Sequence, residues 1–241
     1  MIKRTFLVFV LLLFPSITFA GEYVLVMSKE DNVCQHMLGL YNEDLKKYGE
    51  IKYDEHEEFK AIKWEVKRYF TTYPDGKKDY SIMDYRSVVM SRFDINNDGK
   101  EEIVIKFIGE WKGSPADSLY FFKSEYSDYF KDEFDVNGLY LKAIGAAGTM
   151  VDTMAFRGNA YYLKELPKIP IGIISGKEAY SHYSLGGWFF VNPFVFKEAY
   201  YINMRDNSSE AKFLVILKYT KDNQPKDICY YLKVSDCNNK K

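Results

Sequence analysis

The sequence predicts a mainly β chain, antiparallel and either sandwich-like or propeller-like, with one α-helix near its N-terminus. Three observations predict it. Phe, Tyr and Trp make up 17% of 241 residues, and flat rings pack well on a pleated, half-buried surface. From residue 73 onward, short aromatic and β-branched runs alternate with turns bearing Gly, Asn or Pro, the pattern of a sandwich, barrel or propeller-like array. One earlier stretch, residues 32–48, instead carries helical spacing, with Val33, Met37, Tyr41 and Leu45 recurring on one face.

Taken in order, the first 20 residues read as a secretory signal. Lys3 and Arg4 supply the positive region, Phe6 to Phe14 the apolar stretch, and Thr18-Phe19-Ala20 a small-residue cleavage pattern. The apolar run is shorter than the roughly 20 residues of a membrane-spanning helix. Cleavage after Ala20 would leave residues 21–241 as a single periplasmic or extracellular domain, with no membrane segment. Its N-terminal helical part spans about 32–70 and its β-rich part about 73–241. In the helix, Asn32 and Gln35 fit a capping pattern and Gly49 a stop. Residues 54–70 fit two periods: Phe59, Ile62, Val66 and Tyr69 suit a helix, while Ile62, Trp64 and Val66 alternate as in a strand.

Tyr73-Pro74-Asp75-Gly76 is a turn. After it SVVMSRF, EEIVIKFI, SLYFF, GLYLKAI, AYYL, GWFFV, AYYINM, KFLVILKY and ICYYLKV are expected strands. FRGNAYYL from Phe156 and FKEAYYI from Phe196 resemble each other 40 residues apart, a period found among propeller blades.

Three cysteines, Cys34, Cys229 and Cys237, meet an oxidising compartment, so at most one disulfide forms. A strand through Tyr230–Val234 would hold Cys229 and Cys237 further apart than the ~7 Å Cα limit of a bridge. Cys34 with Cys229 is therefore the favoured pair. Without Lys3 and Arg4 the chain has 31 basic and 34 acidic residues, a net charge of −3. There is no basic tract, which argues against a nucleic-acid partner. His36, His56 and His182 are scattered and show no metal-ligand spacing.

The stretch FDINNDGKEEIVI, residues 93–105, carries the clearest chemistry. Asp94, Asn96, Asp98 and Glu102 stand at alternating positions, with Gly99 where a sharp reversal is needed. A calcium ion takes roughly six to eight oxygens, and side chains two apart on a curled loop can aim at one centre. The backbone carbonyl of Lys100 could add another oxygen. A helix-loop-helix calcium site would need Glu where Ile105 stands, and IVIKF reads as a strand. The stretch resembles instead the D-x-[DN]-x-D-G-x-x-[DE] loop of the FG-GAP and VCBS repeat families. In those families the loop joins two strands of a blade and holds calcium. The resemblance covers residues 86–111, in one copy, and implies a structural Ca2+ held by Asp94, Asn96, Asp98, Lys100 and Glu102. The competing reading is a plain hairpin turning at Asp98-Gly99, which leaves the crowding of three carboxylates unexplained.

Other motifs carry less. HEEFK at His56 begins like a zinc helix, but Lys60 stands where the second His belongs. Ser209-Glu210-Ala211-Lys212 matches S-x-x-K without its companion motifs, and Asn207-Ser208-Ser209 is a formal glycosylation triplet. Trp111 in GEWKGSP and Trp188 in YSLGGW are aromatic-loop candidates for contact with a partner. The expectation from sequence is a non-catalytic periplasmic or secreted binding protein for an unknown protein or glycan, with no catalytic residue assigned. The alternative is an envelope-polymer hydrolase using a carboxylate pair.

Overall fold

The computed structural model of the chain describes residues 21–84, 86–111, 114–148, 169–174, 177–181, 189–206 and 213–234. The signal-like segment 1–20, the repeat copy at 156–163, His182, the 183–188 loop, the 207–212 motifs and Cys237 lie outside them, as does the side chain of Trp111.

Strand β1 (Glu22–Ser28) opens the chain, ahead of helix α1 (Asp31–Tyr48). Val33, Met37, Tyr41 and Leu45 are buried along one stripe of α1, as a 3.6-residue period requires. Gly49 ends the helix in the left-handed region at φ 78°, its N–H bonded to the Leu45 carbonyl at 3.0 Å. The start differs from the Asn32/Gln35 expectation. Glu30 is the N-cap residue and offers no side-chain cap, because its carboxylate accepts from Tyr201 at 2.7 Å and Lys218 at 3.0 Å.

The two-period segment divides. A single turn, α2 (Glu57–Lys60), buries Phe59 against the first helix's core, and two short strands follow, β2 (Glu65–Lys67) and β3 (Tyr69–Thr72). Val66, 76% exposed on β2, leaves no apolar stripe for a helix to continue. Next come β4 (Lys78–Asp79), β5 (Arg86–Phe93), β6 (Glu102–Trp111), β7 (Ser114–Phe122), β8 (Phe134–Asp135) and β9 (Gly145–Gly148). GLYLKAI does not form the strand its composition suggests. Gly138 turns at φ 67° and Leu139–Lys142 coils as a 3-10 turn. The pairing strand is the GAAG that follows, β9. The C-terminal half supplies β10 (Ile169–Ile174), β11 (Lys177–Ser181), β12 (Phe189–Phe196), β13 (Ala199–Asp206), β14 (Phe213–Tyr219) and β15 (Pro225–Val234).

Two five-stranded antiparallel sheets dominate, in the orders β1-β15-β14-β13-β12 and β2-β5-β6-β7-β9. Phe93, Val104, Leu119 and Phe121 of the second share one core with Val191, Ile202, Met204, Val215 and Leu217 of the first. The sheets therefore face each other as a sandwich, and the propeller-like alternative does not describe them. Helix α1 covers the outer face of the first sheet, through Met37, Tyr41, Leu214, Ile216 and Tyr231. Phe130, Phe134 and Leu139 cover the outer face of the second. Coverage on both faces explains why FLVILKY and IVIKF read as continuous apolar runs with little alternation.

Cys34 of α1 and Cys229 of β15 form a disulfide, with Cα atoms 5.6 Å apart. Among the described residues no helix is long and apolar enough to cross a membrane.

Candidate functional site

Residues 94–101 connect β5 to β6, and Glu102 pairs with Phe93 at the hairpin's closing position. The loop is organised by its own polar side chains. Asp94 accepts the N–H groups of Asp98 and Gly99, each at 2.8 Å, and Asn96 Oδ1 accepts that of Asp98 at 3.1 Å. Asp98 Oδ1 in turn accepts the Lys100 N–H at 2.9 Å. Short Asx side chains bonding to backbone a few residues on curl a chain this way, with Gly99 at φ 90° and Asn97 at φ 58° supplying the reversal.

Four of the five sequence-predicted residues enter this loop through their side chains. Asn96 and Glu102 are buried, Asp94 is half-buried, and Asp98 is exposed. Lys100 is exposed, and its part in the turn is through its backbone N–H. Asn96 Nδ2 donates to Glu102 Oε1 at 3.2 Å and to Asn223 Oδ1 at 3.0 Å. Glu102 Oε2 is buried and accepts no hydrogen bond. Burial first, and then the charges of Asp98 and Asp94, push the Glu102 carboxyl up to about 7, against the opposing effect of the Asn96 and Ile95 backbone N–H groups. A buried anionic oxygen with no donor is costly, and either a proton or a cation relieves it. The donor set is all oxygen, which suits a hard cation. Among the described residues no three His, Cys, Asp or Glu side chains are gathered closely enough by themselves to hold a metal. A cation here would rely on the Asn96 amide and backbone carbonyls as well.

Sequence spacing missed Asn97, which ties this loop to the opposite sheet. Its side chain accepts the Tyr200 N–H at 2.8 Å and donates to the Tyr200 carbonyl at 3.1 Å. The Tyr200 ring stacks on Phe93 with centroids 5.0 Å apart, and Trp64 meets Phe93 edge-on. Beside these rings lies a cleft of about 310 Å³, lined by Ile62, Lys63, Glu65, Arg92, Phe93 and Tyr200 among others. The extra Asn in the run was the only signal, since its partners lie 103 residues away and more.

No protein-family model, no curated protein and no solved structure matches the chain.

Proposed function

We propose that the protein is a non-catalytic binding protein of the periplasm or cell exterior, whose loop 94–102 holds one structural calcium ion. The buried, unpartnered Glu102 oxygen beside Asp94 and Asp98 carries this reading. It supports the likeness of the loop to FG-GAP and VCBS calcium loops. Asp94, Asn96, Asp98 and Glu102 would hold the ion through side chains, and Lys100 through its carbonyl. The buried Cys34–Cys229 disulfide is compatible with an oxidising compartment.

The loop grips Tyr200 through Asn97, so ordering the loop orders one wall of the aromatic cleft. That cleft is the proposed contact face for a protein or glycan. Among its lining residues Glu65 is the one carboxylate, whereas glycoside hydrolysis by side chains uses a facing pair.

Calcium is tested by thermal unfolding of the mature protein in calcium and in chelator. Calcium should raise the melting temperature by several degrees, and Asp98→Ala should abolish that gain. Identical melting in both buffers would end the calcium reading. Contact through the cleft is tested by capture from envelope extracts and on a glycan panel, comparing wild type with Tyr200→Ala. Turnover of peptidoglycan by the pure protein, lost on changing one acidic residue, would overturn the non-enzymatic assignment.

A further inference from the structure

Away from the loop, three side chains of complementary reactivity meet where the two sheets join. Lys106 lies on β6, Asp117 on β7, and Asn192 on β12, the edge strand of the other sheet. Lys106 Nζ donates to Asn192 Oδ1 at 3.0 Å and stands 3.1 Å from Asp117 Oδ2. The same Asp117 oxygen accepts the N–H of Val191, the neighbour of Asn192, at 3.1 Å. The Lys106 side chain is 10% exposed and that of Asp117 4%.

As an ion pair alone this arrangement is poorly motivated, because taking two charges out of water offsets most of their attraction. It also brings the parts of a reactive centre together. An amine is held against the oxygen of a carboxamide, and a carboxylate stands beside that amine and on the backbone next to the carboxamide. Holding the groups in place supplies much of what a slow amide exchange needs.

We propose that Lys106 and Asn192 are joined by an intramolecular isopeptide bond, formed within the folded chain with Asp117 as the proton carrier. The Asp117 carboxylate takes a proton from the Lys106 ammonium, which frees the Nζ lone pair. The Nζ lone pair then forms a bond to Asn192 Cγ while the carbonyl π pair moves onto Oδ1. As the carbonyl re-forms, the Cγ–Nδ2 bond breaks. Nδ2 leaves with the proton that Asp117 held, and Asp117 receives the second Nζ proton. Asp117 passes that proton to the departing ammonia and ends as a carboxylate. The net change is Lys ammonium plus Asn carboxamide going to a secondary amide plus ammonium, with no oxidation or reduction. The product links β6 of one sheet to the edge strand of the other by a covalent tie that reductant does not open.

The test is mass spectrometry of the folded wild-type protein after denaturation and reduction. The chain should weigh about 17 Da less than its sequence, the mass of one ammonia. Its digest should contain a branched peptide joining Lys106 to Asn192, which separates this loss from cyclisation at a single residue. Asp117→Ala and Lys106→Arg should restore the full mass, with circular dichroism and the retained Cys34–Cys229 bond reporting that each variant folds. Wild-type protein that is folded, of full mass and free of a branched peptide would overturn the proposal without reference to any variant. A loss of about 18 Da, with Lys106 joined to Asp117, would overturn the assignment of Asn192 as the acceptor.

Discussion

Glu102 is 5% exposed, and its carboxyl sits at about 7 where an ordinary glutamate has 4.5. A raised carboxyl binds its proton more tightly in the folded state. Its contribution to stability is therefore complete below about pH 4.5 and is lost as pH rises through 7. In chelator the melting temperature should fall between pH 5 and pH 8, and Glu102→Gln should flatten that fall and raise melting at pH 8. A shift of this size corresponds to about 3 kcal/mol. A melting curve whose pH dependence is the same in both proteins would show that Glu102 is not the responsible group. Asp44 makes a second residue-level case. It is 3% exposed, accepts the Lys52 N–H at 2.8 Å and meets His56 Nε2 at 2.7 Å. Asp44→Ala should lower stability in denaturant titration by about 2–3 kcal/mol, since both partners lose their acceptor. The alternating polar positions from Asp94 to Glu102 that curl the loop were legible because they are local. Lys106 was visible only as one cation inside EEIVIKFI, and nothing nearby in the chain announces Asp117 or Asn192 as its neighbours.

Among the elements, β9 shows how packing overrides residue preference. GAAG has poor strand propensity, yet it pairs with β7 at the edge of the second sheet with all four residues buried. Gly145 lies opposite Phe121, and a Cβ there would stand 2.0 Å from that ring. The ring fills the space a side chain would need. Gly145→Ala should therefore cost about 1–3 kcal/mol by overpacking, measured by chemical unfolding, whereas Gly39→Ala should not, since a Cβ at Gly39 meets nothing within 4 Å. Equal effects at the two glycines would refute this account of β9. The same competition explains the misreading of GLYLKAI. Its alternating apolar residues suit a strand, but the positive φ at Gly138 starts a turn first, and Leu139 is buried from that turn. Helix α1 was legible because its period repeats over 18 residues. Its cap was not, because Glu30 is recruited by Tyr201 and Lys218 far along the chain.

Over the whole molecule, the Cys34–Cys229 disulfide spans 195 residues and ties the helix layer to the central part of the first sheet. Loop-closure entropy for a span of that length predicts about 4–5 kcal/mol from constraint of the unfolded chain, with measured values commonly nearer 2–4. The double change Cys34→Ser and Cys229→Ser should lower unfolding free energy by about that range. Both sulfurs are buried, so reductant should act on the native protein slowly and only through unfolding; rapid reduction without unfolding would contradict this placement. From sequence alone, the β character, the position of the helix and the curl of the 94–102 loop were determined, because each rests on local periodicity or short-range side-chain bonding; the reach of one strand favoured Cys34 with Cys229, and the folded chain decided that pairing. Tertiary structure decided that two sheets face each other, that Asn97 grips Tyr200, and that Lys106, Asp117 and Asn192 converge. Those outcomes depend on which apolar faces bury one another, and that is settled by contacts between strands about a hundred residues apart, which no local pattern encodes.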